Sequence, residues 1–219
     1  METKRSVNFS WLTIIILLAY WAVCASFYPA LPEQVPTHWN IRGEVDGYSH
    51  KSVAALIMPL LPLGIYLFMT FLPKIDPKKQ NYRKFAPSYE KMRLATVGVI
   101  MVVSALPILS ALGYHLNVEF IIKGAVSLLI IVMGNYMGKI KYNYLVGFRL
   151  PWTLANEDVW NQTHRFGGKL MVIGGCVSLL SVFLSGTLGF VIFMLGIFLP
   201  MVLTMVYSYL AFAKFRKEQ

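Results

Sequence analysis

The chain has 219 residues, of which 57% are hydrophobic and 14% are charged, and its formal net charge is +10. This composition excludes an ordinary soluble domain of the same size, because a soluble surface needs a larger polar fraction. We therefore expect an integral membrane protein that is solvated in part by lipid.

Six apolar stretches predict membrane-spanning helices, since a hydrocarbon core about 30 Å thick needs about 20 apolar residues per span. The first follows Lys4 and Arg5 and continues to Tyr28. That is longer than the roughly 7 to 15 apolar residues of a cleaved signal peptide, so we interpret it as a retained anchor. The predicted spans are about 10–28, 52–73, 94–113, 120–138, 170–185 and 188–212.

The basic residues predict the orientation, because Lys and Arg beside a span stay on the cytoplasmic side. With both termini inside, 17 of the 20 basic residues fall in cytoplasmic segments, and Arg42, Lys51 and Lys123 are the exceptions. The charge excess is spread over the ends of spans, where topology and anionic headgroups explain it. We therefore predict contact with the lipid bilayer of a cell membrane and no direct binding of nucleic acid.

The predicted spans divide the chain into an N-terminal two-span region, 1–93, and a four-span region, 94–219. The N-terminal region contains an extracytoplasmic loop, 29–51, and a basic cytoplasmic loop, 74–93. Prolines favour an extended start of the outer loop. The alternation of residue types that follows, together with the turn signal at Asp46-Gly47, favours a short ordered element resembling a hairpin.

Within the spans, residue size and charge give two further expectations. Lys123, which is the one charge inside a predicted span, lies near the outer end and is expected to reach the headgroups. Small residues on one face predict close helix packing in the fourth and fifth spans. These small residues are Gly134, Gly138, Gly174, Ser178, Ser181 and Ser185.

The segment 142–169, YNYLVGFRLPWTLANEDVWNQTHRFGGK, connects the fourth and fifth spans and is called the signature segment. Pro151 disfavours helix in the residue before it, which predicts an extended turn. Thr153 or Asn156 can then cap a new helix. From Val159 onward the spacing predicts a cytoplasmic amphipathic helix that leads into the fifth span.

The histidines give no pattern typical of a metal site or of catalysis. His38 and His50 lie near carboxylates, but their spacing matches no known ligand motif. His164 has no nucleophile or paired carboxylate at a catalytic spacing. We therefore expect no metal, no cofactor, no catalytic residue and no enzymatic activity.

The two connecting segments resemble a known family. The signature segment resembles that of the SdpI family of bacterial multi-pass membrane proteins, and LPEQVPTHWNIRGEVDGYSHK resembles the extracytoplasmic part of the domain of unknown function that often precedes it. The inner pattern falls on Asn143, Gly147, Arg149, Pro151, Trp152, Thr153, Trp160, Arg165 and Lys169. The outer pattern falls on Pro36, His38, Asn40, Gly43, Asp46 and Lys51, with Tyr48 where an indole is often expected.

The resemblance implies an immunity protein that protects its own cell from a secreted, membrane-active peptide toxin. In part of the family it also implies a receptor that holds a cytoplasmic transcriptional repressor at the membrane. By this resemblance the inner residues, together with His164, are expected to bind the cytoplasmic partner. The outer residues, together with Trp39, are expected to contact the toxin.

Alternatives remain open at the level of sequence. The signature segment is either a docking platform for a repressor or a structural plug that fixes the fourth and fifth spans. A small transporter or flippase for an amphiphilic peptide or lipid is a second function, and flux of labelled peptide from proteoliposomes distinguishes it from a binding protein. An enzyme acting on lipid or peptide is a third, and it would lose activity when His164 or His38 alone is replaced.

Overall fold

The computed structural model describes residues 7–217, and the basic residues Lys4 and Arg5 lie outside them. Within this range the chain forms seven α-helices and one two-stranded antiparallel sheet. The helices are α1 (Trp11–Ser26), α2 (Leu61–Ile75), α3 (Ala86–Ala111), α4 (Val118–Met137), α5 (Pro151–Ala155), α6 (Glu157–Leu180) and α7 (Gly186–Lys217). The strands are β1 (Gln34–Trp39) and β2 (Val45–His50). Short π-helical or 3-10 turns are Tyr28–Ala30, Val53–Ile57, Met58–Leu60, Lys79–Lys84 and Ser181–Phe183.

Six helical segments of the described chain are long and apolar enough to cross a membrane, which confirms the predicted six-span helical protein at that level. Large apolar side chains lie on the surface of the bundle, as expected where lipid replaces water. Trp11 is 75% exposed and Phe183 is 79% exposed. The segments are Trp11–Ala30, Val53–Ile75, Ala86–Ala111, Val118–Met137, Glu157–Phe183 and Gly186–Lys217.

The structure differs from the predicted boundaries where polar residues continue a helix. Helix α3 begins at Ala86, inside the predicted loop 74–93, and the predicted division after residue 93 falls within it. Pro87 fits this start, because the first turn of a helix needs no hydrogen bond from its nitrogen. Helix α6 runs without interruption from Glu157 to Leu180, so the predicted amphipathic helix is the beginning of the fifth span's own helix.

Arg93 lies within α3, where the sequence had placed the end of a loop. Its guanidinium is 1% exposed and donates hydrogen bonds to Glu90 and Thr70. It also lies 4.4 Å from the centroid of the Tyr66 ring. The charge is therefore neutralised and held inside the bundle, at the end of α3 that follows the basic loop.

Lys123 does not reach outward, and that expectation is wrong. It is 4% exposed, and its ammonium group donates to the Glu119 carboxylate and, at 3.1 Å, to the Leu184 carbonyl. Glu119 lies one turn earlier on α4, and Leu184 lies in the turn between α6 and α7. These partners satisfy the charge inside the bundle, so the side chain gains nothing by extending to the surface.

The predicted small faces bring helices into contact. A Cβ atom on Gly174 of α6 would lie 2.1 Å from the Gly196 carbonyl oxygen of α7. The Ser178 hydroxyl donates to the Phe193 carbonyl across the same interface, at 2.9 Å. Gly134 of α4 approaches α6 in the same way, since its Cβ would lie 2.7 Å from a backbone oxygen of that helix. Backbones can approach this closely only where side chains are absent or small.

The hairpin and the signature segment lie at opposite ends of α4. At its beginning, a Cβ atom on Gly43 of the hairpin would lie 3.3 Å from the Glu119 Cβ. Three residues beyond its end, the Ile140 carbonyl accepts a hydrogen bond from the Trp160 indole. A helix of 20 residues is about 30 Å long, which is the thickness of a hydrocarbon core.

Candidate functional site

Asn143 organises the turn that follows α4. It is fully buried, and its side-chain oxygen accepts from the backbone N–H groups of Leu145 (2.9 Å) and Val146 (2.7 Å). Its amide nitrogen donates to the carbonyls of Lys141 (2.9 Å) and Val146 (3.1 Å). The Tyr82 hydroxyl adds a third donor to the oxygen, at 3.2 Å. All the hydrogen-bonding groups of this amide are used within the protein, so Asn143 shapes the segment and is not available to a partner.

Asp76, which the sequence reasoning missed, joins α2 to the signature segment. The carboxylate is 2% exposed and accepts from the Tyr82 hydroxyl and the Tyr144 backbone, both at 3.0 Å, and from the Lys78 backbone at 2.7 Å. Burial raises the pKa of Tyr82 above its ordinary value, and the negative charge of the nearby Asp76 carboxylate raises it further. The sequence did contain a signal for this role, because Asp76 is a carboxylate that follows a span directly and is surrounded by basic residues.

His164 fixes the irregular backbone at Gly147. Gly147 has a φ of +110°, and a Cβ atom there would lie 2.2 Å from the imidazole Nε2. That nitrogen accepts from the Phe148 backbone N–H at 2.9 Å, while Nδ1 donates to the Trp160 carbonyl at 2.8 Å. With one nitrogen accepting and the other donating, the ring is neutral and has no free nitrogen for acid–base chemistry.

Trp160 forms the centre of the packed part of this segment. It is 0% exposed, and its indole nitrogen donates to the Ile140 carbonyl at 3.1 Å. Its ring stacks on His164 with centroids 4.0 Å apart and meets the edge of Tyr142 at 5.5 Å. Through these contacts Trp160 joins α6 to the turn after α4.

The extended turn predicted before Pro151 is present, and α5 and α6 follow it. Leu150 is extended, with φ −102° and ψ 155°, and its N–H donates to the Thr153 hydroxyl at 2.9 Å. The Thr153 hydroxyl donates in turn to the Phe148 carbonyl at 2.7 Å. Of the two predicted caps, Asn156 is the one that caps α6, because its side-chain oxygen accepts from the backbone N–H groups of the first turn, while Thr153 lies within α5.

Trp152 attaches α5 to the last part of α7. Its indole nitrogen donates to the Ser208 hydroxyl at 2.6 Å, and its ring meets the edge of Tyr209 with centroids 5.5 Å apart. The side chain is half-buried. Trp152 therefore joins the end of α7 to the turn that contains Arg149 and Pro151.

Burial separates the ten inner residues into two groups. Asn143, Thr153, Trp160 and His164 are buried, while Gly147 and Trp152 are half-buried. The exposed residues are Arg149, Pro151, Arg165 and Lys169. The buried residues therefore fit the structural alternative, in which the segment fixes the fourth and fifth spans. The exposed residues are the ones that a partner could reach.

At the other end of the bundle, β1 and β2 form a hairpin whose turn is at Asn40–Glu44, not at Asp46-Gly47. The Asn40 side-chain oxygen accepts from the backbone N–H groups of Arg42 (2.8 Å) and Glu44 (3.1 Å), and Gly43 has a φ of +76°. An Asn that bonds the backbone two residues on makes a turn by itself. Gly47 lies within β2, where a Cβ atom would approach that of His38 to 2.8 Å.

Polar side-chain contacts join the hairpin strands near the turn and at the base. His38 Nδ1 and an Asp46 carboxylate oxygen are 2.5 Å apart. At the base, Glu33 is 2.8 Å from the Lys51 ammonium and 3.0 Å from His50 Nε2. The hydrogen bond from Lys51 lowers the pKa of Glu33 below its usual value, and the hydrogen bond from His50 has a smaller effect in the same direction.

A cavity of about 520 Å³ lies between the hairpin and the neighbouring ends of α4 and α7. Its hairpin wall contains five of the seven outer residues expected from the sequence: His38, Trp39, Asn40, Gly43 and Asp46. The helices contribute apolar side chains that the sequence reasoning did not place there: Val118, Ile122, Phe190, Phe193 and Met194. The other two expected residues, Pro36 in β1 and Lys51 just after β2, do not line this cavity.

The buried ion pair of Lys123 and Glu119 also lines the cavity. Sequence reasoning had noticed Lys123 as a lone charge within a span but had given it no partner. The cavity therefore combines apolar walls with a few polar groups fixed by hydrogen bonds, which is the usual construction of a binding pocket.

These features define a multi-pass α-helical membrane protein with a specialised connector at each end of its bundle. Residues 139–208 match the SdpI/YfhL protein family, and residues 15–63 match a domain of unknown function, DUF1648. The chain is therefore similar to the SdpI/YfhL family over its signature segment and last two spans, and it is a multi-pass cell membrane protein.

The chain is similar to a curated protein, Immunity protein SdpI of Bacillus subtilis (strain 168). The two are 28% identical over 198 residues, which cover 90% of this chain and 93% of that protein. No solved structure matches the chain.

Proposed function

We propose that this chain is a membrane immunity protein, which protects the cell that makes it from a secreted, membrane-active peptide toxin. The observation that carries the proposal is the similarity, over 90% of the chain, to a protein named as an immunity protein. The two family matches include both the hairpin and the signature segment. The proposed activity is binding, and it needs no cofactor or catalytic group.

The hairpin end of the bundle is the proposed extracytoplasmic side. Seventeen of the 20 basic residues are assigned to the other side, which supports this orientation by the positive-inside rule. The hairpin and the signature segment lie about 30 Å apart along α4, so one faces outward when the other faces inward. A toxin that arrives from outside would meet the hairpin first.

The proposed toxin contact is the cavity beneath the hairpin. A membrane-active peptide carries apolar side chains at the depth of the bilayer boundary, where Phe190, Phe193 and Met194 form an apolar wall. Methionine adapts its shape to different partners. The Lys123 ammonium and the Glu119 carboxylate lie within reach of polar groups on the same peptide.

Survival of a toxin-sensitive cell that expresses this chain, measured against a panel of membrane-active peptides, tests the proposal. We expect protection against at least one peptide. Trp39→Ala should reduce that protection by about tenfold or more, the effect of losing one interface anchor worth about 1.4 kcal/mol. Tyr48→Ala is the matched control, because Tyr48 is a hairpin aromatic that is 61% exposed and does not line the cavity.

Failure to protect against any peptide, with the protein correctly inserted, would overturn the immunity function. Equal protection by the Trp39 and Tyr48 variants would instead remove only the cavity as the contact. Release of labelled peptide from proteoliposomes should not increase, because an immunity binder has no transport activity.

A second part of the proposal is that the exposed turn of the signature segment docks a cytoplasmic repressor. Arg149 and Pro151 are exposed, and Trp152 beside them is half-buried. Helix α7 supports a connection to the toxin cavity, because its Phe193 lines that cavity while its Ser208 holds Trp152. Toxin binding must favour one position of α7 by a real free-energy difference for the turn to respond.

The docking step is tested by membrane recruitment of a fluorescently tagged candidate repressor in cells exposed to toxin. Arg149→Ala should abolish recruitment while protection persists. Arg83→Ala is the control, since Arg83 is exposed in the other inner connector, between α2 and α3. Unchanged recruitment in a correctly inserted Arg149 variant would eliminate the docking surface without affecting the immunity function.

A further inference from the structure

An open groove of about 600 Å³ lies between α4 and α6, beside the signature segment. It exists because glycines meet where the two helices cross. A Cβ atom on Gly134 would lie 2.7 Å from the Gly168 carbonyl oxygen, so the backbones are in contact there. One turn later Gly138 is packed less tightly, since its Cβ would make an ordinary contact with the Arg165 Cα at 3.5 Å.

Three cations line one end of the groove: Lys139, Arg165 and Lys169. All three are exposed, and none of the groove residues that the structure describes is acidic. Arg165 and Lys169 are four residues apart on α6, so they occupy the same face of that helix. Among residues 7–217 the structure places no carboxylate within ion-pair distance of any of the three. Neighbouring positive charges without a counter-charge attract an anion.

The other end of the groove is apolar. Val172 and Ile173 line it, and Ile173 is 61% exposed. They follow Arg165 by seven and eight residues on α6, which places them about 11 Å deeper along the helix. The groove therefore passes from a cationic rim to an apolar wall within the length of a lipid headgroup and the first part of its chain.

We propose that this groove binds an anionic phospholipid, with its phosphate held by Lys139, Arg165 and Lys169 and an acyl chain lying along Val172 and Ile173. Basic pockets between helices at the cytoplasmic interface are suited to such headgroups. A free anion would use the cations but not the apolar wall, and a zwitterionic lipid would use the wall but gain little from the cations. This site assigns Arg165 and Lys169 to lipid and leaves Arg149 and Pro151 to the proposed protein partner.

Lipid binding to the purified full-length chain in detergent tests the proposal, with phosphatidylglycerol and phosphatidylcholine compared by native mass spectrometry. We expect the wild-type chain to retain phosphatidylglycerol preferentially. The double variant R165Q/K169Q should lose that preference by about tenfold or more, because each basic residue near the headgroups contributes about 1 kcal/mol. The control R83Q/K84Q removes the same charge from exposed positions outside the groove and should change the preference less than about twofold.

A second variant, Gly138→Leu, fills the groove and keeps every charge, and it should reduce lipid retention as well. Equal retention by R165Q/K169Q and R83Q/K84Q would overturn the site and leave only general attraction of anionic lipid. Displacement of the lipid by millimolar glycerol phosphate would identify a small-anion site and also overturn the proposal. Unchanged lipid retention by R165Q/K169Q with loss of repressor recruitment would return both residues to the protein partner.

Discussion

Within the signature segment, the position of the His164 side chain requires a glycine at position 147. The imidazole occupies the space that a side chain at position 147 would need, and it accepts the hydrogen bond of the next backbone N–H. Gly147 also adopts a positive φ, which costs other residues free energy. The two requirements act at the same position, so this glycine is needed both for its conformation and for its lack of volume.

Gly147→Ala should therefore lower the thermal unfolding midpoint in detergent more than Gly113→Ala. Both positions have positive φ, at +110° and +89°, but no heavy atom lies within 4 Å of a Cβ atom placed on Gly113. The Gly113 variant should lose only the conformational part, about 1 to 2 kcal/mol. Equal midpoints for the two variants would show that contact with His164 contributes nothing.

At the scale of elements, the α6–α7 pair is formed by close backbone contact, while the base of the hairpin contains an ion pair. Gly174 and Gly196 allow the helices to touch, and the Ser178 hydroxyl bonds across them. In the hairpin, Glu33 and Lys51 join the residues just outside the two strands. The helix contact depends on the size of the side chains, so a larger residue should disturb it. The Glu33–Lys51 pair depends on charge, so a change of pH should disturb it.

Replacing Gly174 with alanine should separate α6 from α7 and lower the unfolding midpoint. The new Cβ would lie 2.1 Å from a backbone oxygen, which cannot move without moving the helix. Gly124→Ala in α4 is the control, because that position has no neighbour within 4 Å. The control should leave the midpoint unchanged or raise it, since alanine is the better helix former by about 1 kcal/mol. A stable Gly174 variant with an unchanged midpoint would show that the interface tolerates separation.

The base of the hairpin should loosen in acid. Lys51 holds the pKa of Glu33 below its ordinary value of 4.5. The pair therefore stabilises the hairpin fully above that value, and the stabilisation is lost as the pH falls through the lower, folded-state pKa. Hydrogen exchange of hairpin amides, corrected for intrinsic rates, should be slower in the wild-type chain than in Glu33→Gln at neutral pH. The two should converge in acid, and a difference that persists there would contradict this assignment.

At the scale of the whole molecule, one helix bundle separates two connectors of different chemistry. The hairpin encloses an apolar cavity with a buried ion pair, whereas the signature segment is fixed by buried hydrogen bonds and presents Arg149 and Pro151 at its surface. Helix α4 contacts both connectors, and helix α7 lines the cavity beneath the hairpin and contacts Trp152 of the signature segment. These two helices are continuous elements that connect the two ends of the bundle.

The proposed orientation predicts opposite labelling of the two connectors in intact cells. In a chain with Cys24 and Cys176 replaced by serine, a membrane-impermeant maleimide should label Tyr48→Cys without permeabilisation. Arg149→Cys should be labelled only after permeabilisation. Both positions are exposed, so a lack of labelling reports the membrane and not burial. Labelling of both from the same side would contradict the bundle spanning the membrane as proposed.

The sequence by itself determined that the protein crosses a membrane through six helices, because hydrophobic length is a local property that needs no knowledge of contacts. It also determined the extended turn before Pro151, the cap at Asn156 and the small faces at Gly134 and Gly174, since each depends on the chemistry of a few neighbouring residues. These features are encoded in short windows of sequence.

The tertiary structure alone decided the partners of residues far apart in the chain. It paired Lys123 with the Leu184 carbonyl, brought Asp76 to Tyr144, buried Trp160 and His164 and placed Phe193 beneath the hairpin. The hairpin turn also lies at Asn40–Glu44 and not at Asp46-Gly47, because the Asn40 side chain bonds the backbone of that turn while Gly47 pairs with His38 within the sheet. Such outcomes depend on how helices pack against one another, and the residue types at each position are compatible with several arrangements.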